Sequence, residues 1–207
     1  MTTTERTRAL RRRMIVEARR ATVEHGLHGF TIEQLCETVG VSRRTFFNHF
    51  ASKDDAVLGI EQGASEALLH DFATRTVVPE DLDPLAAVVA LAIEQVHLVG
   101  LDRTEQDLAR RVFEHEPAMV PKFLAVVDEQ LAAVARAVRA RFGWDDPADR
   151  RAQLVAETAG TLLKVTAATY FDDAYDEATS PPFEALLTDN LRQLRAAITT
   201  TGQDPTA

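Results

Sequence analysis

Cysteine occurs once in the 207 residues, at Cys36, so neither an intrachain disulfide nor a multi-cysteine metal site can form. Such usage fits a reducing compartment. No apolar run approaches the roughly 20 residues needed to span a bilayer. The opening M-T-T-T-E-R-T-R also lacks the apolar core of a secretory signal, so the expected location is the cytoplasm, with no membrane partner. There is no G-x-S-x-G, no Walker loop and no dinucleotide glycine pattern, and nothing argues positively for an enzyme or for a bound cofactor. Glycine (9) and proline (8) are few, and they divide the chain into segments of helical length with apolar residues three and four apart; nothing reads as a series of strands.

The composition is otherwise that of a folding chain, with 45% hydrophobic and 27% charged residues. A net charge of −9 is unusual for a protein that binds nucleic acid, until its distribution is read. Residues 1–53 carry ten Lys/Arg against five Asp/Glu, whereas residues 54–207 carry thirteen against twenty-seven. Only the first part suits a polyphosphate, and the acidic remainder would orient that basic end toward a duplex.

The spacing predicts an all-α fold: a small N-terminal domain at 1–53 followed by a larger helical domain at 54–207. A first helix is expected from about Thr7 to His25, stopped by Gly26. Thr31 can cap a second helix in which Ile32, Leu35, Cys36 and Val39 form an inward stripe ending at Gly40, which makes Cys36 a core residue. Ser42 can cap a third helix through Phe50, and Ser52 a long fourth one to about Val77. Further helices are expected after Asp83-Pro84, around Glu105 to Glu114, and from Pro117 to Arg141. Pro147 and Pro181 are expected to open the last two, and the tail from Thr199 reads as disordered.

The segment T-I-E-Q-L-C-E-T-V-G-V-S-R-R-T-F-F-N-H-F-A-S-K-D, from Thr31 to Asp54, therefore reads as two short helices joined at Gly40 and Val41. Phe46 and Phe50 stand one turn apart and can pack on the stripe. Arg44 and Asn48, also one turn apart, point the other way, flanked by Thr45 and Phe47, with Arg43 at the helix start. Arg can bond two acceptors of guanine, Asn can bond adenine, and Thr or Phe can meet a thymine methyl.

This stretch, about Arg13 to Val57, resembles the tetracycline-repressor (TetR) family, whose signature is a capped helix, G-V-S, a T-aromatic-aromatic segment, H-F and S-K. Beyond residue 60 the resemblance is architectural only. It implies a dimeric, ligand-responsive transcription regulator that binds double-stranded operator DNA and is released from a palindromic site by a small apolar or amphipathic effector. An architectural or accessory DNA-binding protein without an effector is the other reading. By the resemblance, Thr31 and Lys53 contact phosphates, with Ser42 and His49 near the backbone, and Arg43, Arg44, Thr45 and Asn48 face the groove. Where this chain has Phe47 the family often has Tyr, so a phenolic hydrogen bond to phosphate is lacking. Arg11, Arg12 and Arg13, preceded by Arg6 and Arg8, can form an arm on phosphates or in the minor groove.

In the larger domain, Leu154, Leu162 and Tyr170 of the penultimate helix and Phe183, Leu187, Leu191 and Leu194 of the last one make apolar stripes that are expected to form a homodimer interface. Polar residues at inward positions of the helices between Asp83 and Tyr170 mark an effector pocket: Glu94, His97, Gln130, Thr158, Thr161 and Thr166, opposite Phe113, Phe123, Val126 and Val127. Glu114, His115 and Glu116 are not read as metal ligands, because neighbours on a helix diverge by about 100°. No metal is expected.

Overall fold

A computed structural model describes residues 3–60, 64–99, 103–146, 148–172, 174–176 and 180–199. Among these the chain is all-α. Its helices are α1 (Thr3–His25), α2 (Ile32–Val39), α3 (Arg43–Phe47), α4 (Lys53–Leu58), α5 (Ala64–Ala73), α6 (Pro84–Val99), α7 (Arg103–His115), α8 (Val120–Phe142), α9 (Arg151–Tyr170) and α10 (Phe183–Thr199), with a 3-10 turn at Pro117–Met119. No helix among the described residues is long and apolar enough to cross a membrane. Pro147 and the tail beyond Thr199 lie outside the described residues.

Two compact units are present. The first comprises Met1–Ala67 and Asp102–Gln130, the second Leu68–Leu101 and Leu131–Ala207. In the first unit α1 packs on α2, α4 and α7. Its core joins Met14 and Ala18 of α1 to Leu35, Cys36 and Val39 of α2, Phe46 and Phe50 around α3, Ala56 and Val57 of α4, and Val112 and Met119. In the second unit α9 packs on both α6 and α10. One core there gathers Leu68, Phe72, Val88, Leu91, Val138 and Ala159, and another gathers Val89, Leu162, Phe183, Leu187 and Leu191. Gly160 lets α8 come close, since a Cβ there would lie 2.9 Å from a methyl of Leu131.

Three elements differ from the sequence reading. The long helix expected from Lys53 to Val77 is interrupted. Gly59 adopts φ +75°, its N–H bonds the carbonyl of Ala56, and the Ile60 N–H reaches back to Asp55. That pair of bonds is a helix stop that only a residue tolerant of positive φ makes cheaply. Arg19 of α1 reinforces it, donating from Nε to the Val57 carbonyl (2.9 Å) and from a terminal nitrogen to that of Leu58 (3.4 Å). The helix expected to open at Pro147 begins instead at Arg151, whose N–H is taken by the Asp149 carboxylate at 2.8 Å. Finally, α1 extends upstream to Thr3, so Arg6 joins Arg8 and Arg11–Arg13 on the helix.

Candidate nucleic-acid interface

The helix pair is held by local chemistry. Thr31 closes a capping box with Gln34: the Thr31 hydroxyl accepts the Gln34 N–H (3.2 Å) and the Gln34 amide oxygen accepts that of Thr31 (2.8 Å). At the other end of α2, Gly40 sits at φ +77° and its N–H, with that of Val41, caps the carbonyls of Cys36 and Glu37. Ser42 then caps α3 through the Thr45 N–H at 3.0 Å. Helix α3 ends at Phe47. Its last turn tightens, with the His49 N–H bonding Phe46, and the Phe50 N–H bonds the same carbonyl, so the backbone stays coiled through Phe50.

Phe46 and Phe50 are fully buried and pack 5.6 Å apart, which fixes the rotation of α3 about its axis. Arg43, Arg44, Phe47 and Asn48 are therefore exposed, and Thr45 and His49 half-buried. The exposed residues differ in their freedom. Arg44 makes no ion pair among the described residues, whereas Arg43 is paired with Glu33 of α2 and lies 5.7 Å from the Phe47 ring centroid. Phe47, 43% exposed, stands edge-on to Phe46. His49 is held below its ordinary pKa, first by partial burial and then by the charge of Arg11.

Several residues read from the sequence as phosphate contacts have partners inside the protein. Lys53 donates to the Phe30 carbonyl (2.6 Å) and sits 4.4 Å over the Phe30 ring, tying α4 to the loop before α2. Arg13 donates to the Val39 carbonyl at 3.0 Å, and Arg12 pairs with Glu105 of α7. Arg11 is half-buried, and desolvation lowers its pKa to about 10. Three residues of this unit were missed by sequence reasoning. Arg19 bridges α1, α4 and the Glu105 carbonyl of α7; Glu116 accepts the Leu27 N–H; Lys122 pairs with Asp54 and Asp55 at 3.1 and 3.4 Å. Their partners lie tens of residues away, so no local pattern announces them.

The proposed effector residues are divided between the two units. Phe113, Phe123, Val126, Val127 and Gln130 fall in the first, and Phe113 and Phe123 pair there at 5.1 Å. Glu94, His97, Thr158, Thr161 and Thr166 fall in the second. Thr158, Thr161 and Thr166 donate to carbonyls one turn back in their own helix, and Thr166 also accepts from Asn190 at 2.9 Å. The first unit has cavities of about 270 and 430 Å³ beside α1, and none of these residues lines them. Glu114 pairs with Arg110, His115 Nδ1 lies 2.8 Å from the Arg111 carbonyl, and Glu116 faces Leu27, so the three diverge as their spacing requires. No group of metal-binding side chains occurs among the described residues.

The proposed dimer stripe is a correction. Leu162, Phe183, Leu187 and Leu191 are buried inside the second unit against Val89 of α6, and Tyr170 and Leu194 pack on the same cluster. Of the seven residues, only Leu154 is exposed, at 64%. The periodicity showed a buried face correctly, but the α9 and α10 stripes are covered by one another and by α6 of the same chain.

The sequence pattern of the bacterial regulatory proteins of the tetR family matches residues 15–58, the stretch holding the capped helix pair and the exposed face of α3. The transcriptional regulator TcmR of Streptomyces glaucescens is 30% identical over 195 residues, covering 90% of this chain and 86% of that protein. The chain belongs to the TetR family. It is accordingly a DNA-binding transcription regulator and not an enzyme. The transcriptional repressor AcnR of Corynebacterium diphtheriae is 31% identical over 118 residues, covering 52% of this chain and 58% of that protein. A solved transcriptional regulator of Aquifex aeolicus is 12% identical, with 91% of this chain and 99% of that one covered at a TM-score of 0.48.

Proposed function

We propose that this TetR-family regulator is a homodimeric repressor that reads a palindromic operator through α3 and leaves it when a small apolar or amphipathic molecule binds. The observation that carries the DNA-reading part is the division of α3. Its Phe46–Phe50 side is locked into the core, while Arg44 and Asn48 stand exposed on a segment whose net charge is positive. Arg44 then reads a base and Asn48 its neighbour, with Thr45 and Phe47 beside them. Thr31, Ser42 and His49 line the backbone side. Lys53 supports that side from its seat on Phe30, as Arg11, Arg12 and Arg13 do from α1. Repression is supported by the kinship with AcnR, a named repressor.

DNA reading belongs to about residues 1–53 and effector binding and dimerisation to the remainder. The effector reading is supported by Glu94, a half-buried carboxylate that follows the wholly apolar run from Pro84 to Ile93 in α6 and can recognise a polar group of a ligand. The Arg12–Glu105, Glu116–Leu27 and Lys122–Asp54 ties fasten α7 and the start of α8 to the reading head and carry its coupling to effector binding. Coupling of about 1–3 kcal/mol is enough for a roughly 5–150-fold release.

The test is footprinting on the DNA upstream of the gene, followed by titration of variants. Arg44→Ala should cost about 1–3 kcal/mol on the protected site and relax preference at one base pair. Equal losses on the protected site and on random DNA would sink the base-reading role. A footprint unaffected by cell extract would favour the accessory reading.

A further inference from the structure

The two arginines that open α3 are adjacent in sequence but differently held. Arg44 stands clear among the described residues. Arg43 is drawn back toward α2, its guanidinium on the Glu33 carboxylate and near the Phe47 ring. Glu33 is itself well placed to stay ionised. It lies in the first turn of α2, where the unpaired N–H groups favour a negative charge, and its pKa is lowered, first by its own backbone N–H and further by Arg43 and Thr31. Both side chains are more than half exposed, so the pair is weak in water and open to exchange. A duplex laid on this face would bring phosphates toward the same guanidinium, and a fixed carboxylate would compete with them.

We propose that Glu33 is a specificity-determining residue that acts through Arg43, withholding it from phosphates of DNA at large. The inference rests on the DNA-reading assignment above. On random DNA a single phosphate contact does not offset leaving the Glu33 carboxylate to face a polyanion, so the guanidinium stays on Glu33. On the operator, where Arg44 and Asn48 set the register, Arg43 exchanges Glu33 for a fixed acceptor on the duplex. Glu33 thus lowers sequence-independent affinity more than it lowers operator affinity, and the specificity ratio rises. Phe47 takes part as an apolar platform that keeps the guanidinium over α3 during the exchange.

The test is a double-mutant cycle of E33Q and R43Q, read by fluorescence anisotropy on a labelled random-sequence duplex and on the protected upstream duplex over a range of salt. With wild-type Arg43, E33Q should tighten random-duplex binding about two- to five-fold, the range of an exposed ion pair. It should also steepen the log–log salt dependence by about 0.9, the value of one added phosphate contact. The upstream duplex should gain less. In the R43Q background E33Q should have little effect on either duplex. E37Q, on the same helix, serves as the charge-matched comparison and should leave the salt slope unchanged. The proposal is overturned if E33Q gives the same gain with and without Arg43, if E37Q matches it, or if random-duplex affinity does not rise. Melting of each variant by circular dichroism excludes misfolding as a cause. Wild-type protein that binds neither duplex would instead remove the DNA-reading assignment itself.

Discussion

Glu116 Oε1 accepts the backbone N–H of Leu27 at 2.7 Å across 89 positions of sequence. The bond pins the end of α7 to the turn that follows α1, and Gly26 makes room for it: a Cβ there would stand 3.2 Å from the same oxygen, at a φ of +76°. Glu116→Ala should leave that amide without its charged acceptor and cost about 1–3 kcal/mol. In a chain of this size that is a fall of about 2–4 °C in Tm per kcal/mol. Glu116→Gln, which keeps an oxygen, should cost less. Hydrogen exchange at the Leu27 amide is the decisive readout, and an unchanged rate in Glu116→Ala would show that the bond carries nothing.

Arg141 is 2% exposed and donates to the carbonyls of Phe72 (2.7 Å), Val78 (3.0 Å) and Pro79 (2.7 Å), with the Phe72 ring 4.8 Å away. Burial, then the nearby Arg75, lowers its pKa. The guanidinium thus terminates α5 and holds the following turn. Arg141→Ala should unbond three carbonyls and open a cavity, at a cost of about 3–5 kcal/mol. Arg141→Met should recover part of the packing but none of the hydrogen bonds. Urea titration checks this, and equal midpoints for the Met variant and the wild type would show that the carbonyls need no donor.

How much of this was legible depended on the range of the forces involved. The cap at Thr31, the positive φ at Gly40 and the stripe from Ile32 to Val39 are local, so spacing alone exposes them. The stop at Gly59 is partly local, but a lone glycine inside a helical pattern is often tolerated, and Arg19, which closes the stop, lies forty positions upstream. The last helix shows a different limit. A stripe through Phe183, Leu187 and Leu191 says that a face is buried and not what buries it, and α9 and α6 fill that place. The arginine triplet at 11–13 was read as one arm, yet each member has its own surroundings once α1 coils beneath it: a half-buried site for Arg11, Glu105 for Arg12, the end of α2 for Arg13.

His49 links the reading head to pH. Its pKa in the folded chain lies below the ordinary 6.5, so between the two values the unfolded chain binds more protons. Stability therefore rises with pH in that window. The contribution is fully present above about 6.5 and is lost as pH falls through the folded value. The Tm should be lower at pH 5.5 than at 7.5, and His49→Gln should reduce the difference. Binding to DNA should move the opposite way, because a phosphate beside His49 favours the protonated ring. A random duplex should bind more tightly at the lower pH, and His49→Gln should flatten that dependence. Equal pH profiles for the two proteins would remove His49 from both effects.

The dimer contact can be decided by contrasting two kinds of leucine. Leu187 is wholly buried beside Val89, Leu162 and Phe183, so Leu187→Glu places a charge in the core of the second unit and should unfold it whatever the oligomeric state. Leu154 and Val165 of α9 are 64% and 51% exposed. They share a helix face with Thr158, Thr161 and Ala168, by steps of four, three, four and three. We propose that a second copy docks on this face of α9, where Leu154 and Val165 are its exposed apolar side chains. In a two-fold contact each substitution acts on both protomers, so a loss of about 1.5 kcal/mol per side chain is felt twice, roughly a hundred-fold in Kd. Leu154→Glu and Val165→Glu should each give a folded chain with an unchanged circular-dichroism spectrum that sediments as a monomer at micromolar concentration. The monomer should also bind the protected upstream duplex with a single-site curve and much reduced affinity, since two half-sites no longer share one protein. Sedimentation as an intact dimer in the Leu154→Glu, Val165→Glu double variant would move the contact off α9 altogether.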